Sequence, residues 1–66
     1  MKLSINYRVD RRIKVVEIRR DKTVFLVSLD IFMIHARLPI EGIIGSVKAE
    51  VSVEQYNTLS KNRMVL

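Results

Sequence analysis

His35 is the only histidine in the chain, and histidine is the side chain best suited to moving protons near neutral pH. It stands in the apolar run 31–38 (IFMIHARL). No acid at metal-ligand spacing accompanies it, and there is no cysteine to supply a thiolate. An isolated histidine in such a stretch is ordinarily a partly buried core residue. A nucleophile would have to be Ser4, Ser28, Ser46, Ser52 or Ser60, and none sits in a glycine-flanked elbow. The seven acids are scattered and mostly stand beside a cation, the pattern of ordinary surface charge. Gly42 and Gly45 are the only glycines, so there is no glycine-rich loop to cradle a phosphate. The chain reads as non-enzymatic, with no catalytic residue, metal, cofactor or small-molecule substrate expected.

The arginines are the stronger signal. Twelve Lys and Arg against seven Asp and Glu give a net charge of +5. Residues 1–22 hold eight cations and three acids, which is +5; residues 23–66 hold four of each, which is zero. The whole excess therefore lies in the first third. Such asymmetry favours an acidic partner, whether protein or nucleic acid. The candidate binding residues are Arg8, Arg11, Arg12, Lys14, Arg19, Arg20 and Lys22. Pairing 3–9 with 13–20 as a hairpin gathers Arg8, Arg11 and Arg12 at one end and Arg19, Arg20 and Lys22 at the other. Arginine suits bidentate contact with carboxylate or phosphate, and a two-stranded ribbon can enter a groove or track a nucleic-acid backbone. The bland alternative is a solvated face that blunts an edge strand, because the first strand looks like an edge. Tyr7 is the only aromatic in the basic segment, which disfavours base stacking on single strands.

The elements that position these residues follow from periodicity. Leu3, Ile5, Tyr7 and Val9 alternate with Ser4, Asn6, Arg8 and Asp10, a strand pattern. Residues 13–20 form a second strand of imperfect alternation: either a bulge at Val15-Val16 turns Ile13 and Ile18 to one side, or there is no bulge and an exposed Val is tolerated. Residues 20–23 make a tight turn. Residues 23–29 (TVFLVSL) are apolar on both faces, which predicts a central strand. Residues 31–38 lean to strand on their Ile and Phe content; the alternative is a helix with Asp30 as N-cap and Ile31, Ile34 and Leu38 on its buried stripe. Residues 39–42 (PIEG) are a turn, and 43–53 a further strand, with Gly45 marking a bulge or close approach. Ser52 and Gln55 fit a capping box that opens a helix over 53–61, with Asn62 as its C-cap.

A chain of 66 residues, 48% hydrophobic and 29% charged, is one marginally stable domain, residues 1–66. The fold expected is α+β: a small antiparallel sheet of four to five strands, open or closed into a barrel, followed by one short C-terminal helix. One short helix covers one face of a sheet, so the apolar middle calls for a second copy, and a homo-oligomer, most simply a dimer, is expected. The first residues form no apolar leader, and no run of about 20 apolar residues spans a bilayer. A cytoplasmic protein without a membrane partner is the expectation. Its function is that of a small interaction module that oligomerises and binds an acidic protein through the basic hairpin; the alternative is a nucleic-acid-binding regulator using the same residues on phosphates. A third possibility is a structural subunit that depends on its apolar tail, residues 64–66.

Overall fold

The structure is a computed structural model that describes residues 1–65. Four strands, β1 (Lys2–Asp10), β2 (Val15–Arg20), β3 (Thr23–Ser28) and β4 (Val47–Ser52), form one antiparallel sheet. Two helices, α1 (Leu29–His35) and α2 (Val53–Lys61), complete the order β1-β2-β3-α1-β4-α2. The sheet order is β3-β2-β1-β4. The expected α+β architecture and its C-terminal helix are present. The sheet is open rather than barrel-like, and a second helix joins the first.

Alternation along β1 sets the faces. Ile5 and Tyr7 are buried under the helices, while Ser4, Asn6 and Arg8 face solvent. The register carries this across the sheet: Tyr7 lies opposite Ile18 on one side and Val47 on the other, and Ile18 lies opposite Phe25. Phe32 of α1 and Leu59 of α2 close over this layer, both fully buried. The rings of Tyr7 and Phe32 sit 4.9 Å apart and tilted, a favoured aromatic geometry.

Two strands sit elsewhere in the sheet than their patterns predict. β1 is central, not an edge, because β4 returns to pair along its free side. β3 is an edge, not a central strand, and Val24 is 44% exposed. Two facts account for its apolar run: Leu29 belongs to the helix, and Val24 and Leu26 lie on the open face. β2 begins at Val15, and its pairing with both neighbours runs without an inserted residue from Val15 to Arg19 on the β1 side and to Arg20 on the β3 side. No bulge is needed. Val16 points under the helices, and Val15 is buried on the opposite face. Ile13 falls in the turn and is 65% exposed. Strand β4 is also shorter than its alternation implied, leaving Ile43 and Ile44 in the preceding loop.

Residues 29–35 are helical despite their β-forming content. Ser28, not Asp30, is the N-cap, its hydroxyl accepting from the Ile31 N–H at 3.2 Å. Asp30 lies in the first turn, where the helix dipole favours an acid. The buried stripe is Phe32 and Ala36 with Leu29 beside them, so Ile34 points outward. Tertiary contact outweighs strand propensity here. The end of α1 is tied to the start of α2. Gln55 accepts from the Ser52 N–H through Oε1 at 2.8 Å, completing the capping box. Its Nε2 donates to the His35 carbonyl at 3.2 Å and to the Ala36 carbonyl at 3.4 Å. One side chain thus satisfies orphan groups at both helix ends. Helix α2 spans the expected residues, with Asn62 as its C-cap. The tail runs back along β3, where the Met64 N–H donates to the Leu26 carbonyl at 2.7 Å. Val65 is exposed; Leu66, the last residue of the apolar tail, lies outside the described residues.

Gln55 can be separated into its two roles. Gln55→Glu keeps the acceptor and suits a helix N-terminus, but it sets a carboxylate against two carbonyls. We expect it to cost about 1–3 kcal/mol at neutral pH, a large share of the roughly 3–10 kcal/mol a domain this size possesses. Acidification should recover part of the loss, because a protonated carboxyl regains a donor. Urea unfolding at pH 7 and pH 4 reads this out; a Glu variant as stable as the parent at pH 7 would show that the bridge to α1 carries nothing.

Candidate functional site

The basic residues sit where the strand ends put them. Residues 11–14 form the turn between β1 and β2. Asp10 organises it: its Oδ1 accepts from the Arg12 N–H at 3.0 Å and lies 3.7 Å from the Arg12 Nε. Lys14 closes the turn in the left-handed region, with φ 55°. Its carbonyl accepts from the Leu29 N–H at 2.9 Å, joining the turn to the start of α1. At the other end of β2, Asp21 and Lys22 make a two-residue turn, Asp21 having φ 52°.

The loop from 37 to 46 packs beside the first turn. The Tyr7 hydroxyl donates to the Pro39 carbonyl at 2.6 Å, and the Arg11 guanidinium donates to the Ile40 carbonyl. Gly42 and Gly45 bend this loop with φ 69° and 76°. Gly45 is no bulge, because it lies in the loop before β4, and no close approach, because a Cβ there would meet nothing within 4 Å. The loop and the turn enclose an open cleft of 380 Å³ lined by Arg8, Asp10, Arg11, Arg12, Ile43 and Gly45. A second cleft of 240 Å³ shares Arg8 and Asp10 and adds Ile13, on the open face of the sheet. Ile44, between two lining residues of the first cleft, is 95% exposed.

The seven candidate cations therefore divide. Arg8, Arg11, Arg12 and Lys14 gather at the cleft end. Arg19, Arg20 and Lys22 stand at the far end of β2, a strand of six residues and so roughly 20 Å long. They do not form one site. Three of the seven are engaged internally: Arg11 with the loop carbonyl, Arg12 in an exposed ion pair with Asp10, and Arg20 over the Tyr56 ring at 5.4 Å. Arg63, not a candidate, covers the Phe25 ring at 5.1 Å. The open sheet face carries Arg8, Arg19 and Lys48, but Tyr7, Phe25 and Phe32 are all buried on the other side.

Sequence reasoning missed Ile13, which it assigned to the core, and Ile43 and Ile44, which it assigned to a strand. The signal was present in Gly42 and Gly45, which bracket an apolar pair too closely for a regular strand. His35 lies in the last turn of α1, half-buried. Among the described residues no group of three His, Asp or Glu is placed to hold a metal, and no helix is long and apolar enough to cross a membrane. Comparison with known protein families, curated proteins and solved structures finds no match.

Burial raises the Tyr7 phenol above its ordinary value of 10.0. A folded-state value above the unfolded one means that Tyr7's contribution is intact below pH 10 and is lost as pH climbs through the folded value. We expect urea-determined stability to fall more steeply above pH 10 in the parent than in Tyr7→Phe. At pH 7 the same variant should cost about 1 kcal/mol for the lost bond to Pro39. Parallel stability curves over pH 7–11 would count against this role.

Proposed function

We propose that the protein is a small non-enzymatic interaction module, a regulator, inhibitor or accessory protein, that binds an acidic protein segment at the turn-and-loop end built by Arg8, Arg11, Arg12 and Lys14. Arg19, Arg20 and Lys22 form a secondary basic region. On this reading it works in the cytoplasm as a homo-oligomer, most simply a dimer.

The observation that carries the choice of partner is the pair of exposed isoleucines, Ile13 and Ile44, flanking the arginine cleft. Exposed ion pairs contribute about 0–1 kcal/mol each and are screened by salt. Fully burying an isoleucine contributes about 1.5–3 kcal/mol. A partner that covers both isoleucines therefore gains more from them than from any exposed arginine, and a phosphate backbone offers no apolar surface to do so. Arginines beside apolar anchors are the composition of protein interfaces. The nucleic-acid reading uses the same hairpin cations on phosphates, but Tyr7, Phe25 and Phe32 are buried under the helices and offer no ring beside those cations to stack a base.

The test uses fluorescence anisotropy with three labelled probes: a peptide alternating Leu or Ile with Glu, a poly-glutamate peptide, and mixed-sequence DNA and RNA. The apolar-acidic peptide should bind and keep most of its affinity from low to physiological salt. Arg12→Glu with Ile44→Ser, both at well-exposed side chains, should weaken it at least tenfold while leaving the circular dichroism unchanged. Arg11 is a poorer choice because it also anchors the loop. Nucleic-acid binding that survives physiological salt with a slope of several phosphate contacts would replace this reading with the alternative. No binding by any probe at low salt would overturn both.

A further inference from the structure

The two edges of the sheet are treated differently. On the β3 edge, the carbonyl of Leu26 is occupied by the Met64 N–H at 2.7 Å. Strand β4, at the other edge, has β1 as its only partner among the described residues. An edge left open is a template for another strand.

The side chains of β4 say which strand fits. Val47, Ala49 and Val51 point under the helices, and Lys48 and Glu50 point to the open face. The two charges face uncharged residues within their own sheet: Lys48 lies opposite Asn6 and Glu50 opposite Ser4. The order Val-Lys-Ala-Glu-Val is symmetric about Ala49 in shape and complementary in charge. Laid antiparallel against a second copy with Ala49 opposite Ala49, it sets Lys48 opposite Glu50 twice and Val47 opposite Val51 twice. Every pair joins residues of the same face, as an antiparallel ladder requires. Moving the register by two residues in either direction loses this charge pairing.

We infer that β4 is a self-pairing edge: two copies join β4 to β4 about a two-fold axis at Ala49, forming a continuous eight-stranded antiparallel sheet with all four helices on one face. This rests on the homo-oligomer part of the function proposed above and gives it a surface.

Sedimentation equilibrium of the full chain over a wide concentration range should show a dimer of the 7.7 kDa chain. Opposite charges directly across a sheet stabilise it and like charges destabilise it, and each substitution changes two pairs. Lys48→Glu alone and Glu50→Lys alone should each weaken the dimer roughly tenfold or more. The double exchange Lys48→Glu with Glu50→Lys should restore it. Mixing the two single variants should give a heterodimer, since each then supplies what the other lacks. The monomer fold should be insensitive to all of these, given the neutral Asn6 and Ser4 opposite, and circular dichroism checks this. Because the chain has no cysteine, Ala49→Cys should form one disulfide across the axis under mild oxidation; the about 4.5–5.5 Å between paired Cα atoms is within disulfide reach. A dimer indifferent to the exchanges and not captured through residue 49 would overturn β4 pairing but leave the oligomer. A monomer at every concentration would overturn both.

Discussion

Tyr7 is the point at which the sheet, the helices and the long loop meet. It lies in the central strand with Ile18 and Val47 on either side, and its ring packs on Phe32 of α1. A buried phenol needs a partner for its hydroxyl, because an unpaired polar group in the core costs more than the bond contributes. The Pro39 carbonyl is that partner. The requirement reaches outward from the core: satisfying it holds the loop from 37 to 46 against the end of β1. That in turn sets Ile43 and Gly45 beside the arginines of the first turn. The Arg11 guanidinium on the Ile40 carbonyl and the packing of Leu38 and Ile40 against the core hold the same loop.

A chain of this length can cover only one face of its sheet. The helices are seven and nine residues long and lie on the same side. They are too short to be stable alone, so their order comes from packing and from shared caps. Gln55 serves both. The uncovered face is mostly polar, with Val15 on β2 and Val24 and Leu26 on β3 as apolar exceptions. Its polar alternation removes the need for a second layer. The β4 edge keeps backbone groups that pair with no strand among the described residues, which is a matter of hydrogen-bond partners rather than of apolar cover.

The charge distribution has a corresponding logic. The excess of +5 in the first third does not become a single patch, because antiparallel pairing sends successive turns to opposite ends of the sheet. Three arginines among the seven candidates, Arg11, Arg12 and Arg20, make contacts within the protein itself. At the cleft end, Asp10 shapes the turn and Glu17 lies opposite Arg8, two carboxylates against the four cations Arg8, Arg11, Arg12 and Lys14. In the function proposed for this chain, such a surface would steer an acidic partner by its field, and the isoleucines beside it would supply the contact area that the field alone lacks.

Features governed by local chemistry are legible in the chain before it folds. Alternation marks β1 and most of β4, and the Ser52–Gln55 box with its helical spacing marks α2. The charge count locates the basic third of the chain. These rest on periods and caps that involve neighbours within a few residues. Other features depend on partners distant in sequence and take shape only on folding. β1 becomes central because β4 comes back to it from about forty residues away, and β3 is left at an edge despite its apolar run. Residues 29–35 become a helix, since Phe32 is buried against Tyr7 and Gln55 caps the end, outweighing the strand preference of Ile and Phe. Ile13 and Ile44 are exposed because a turn and a loop take up those residues. Local propensities differ by a fraction of a kcal/mol per residue, whereas one buried aromatic or one unsatisfied polar group is a matter of several. Where the two disagree, the longer-range interaction sets the outcome.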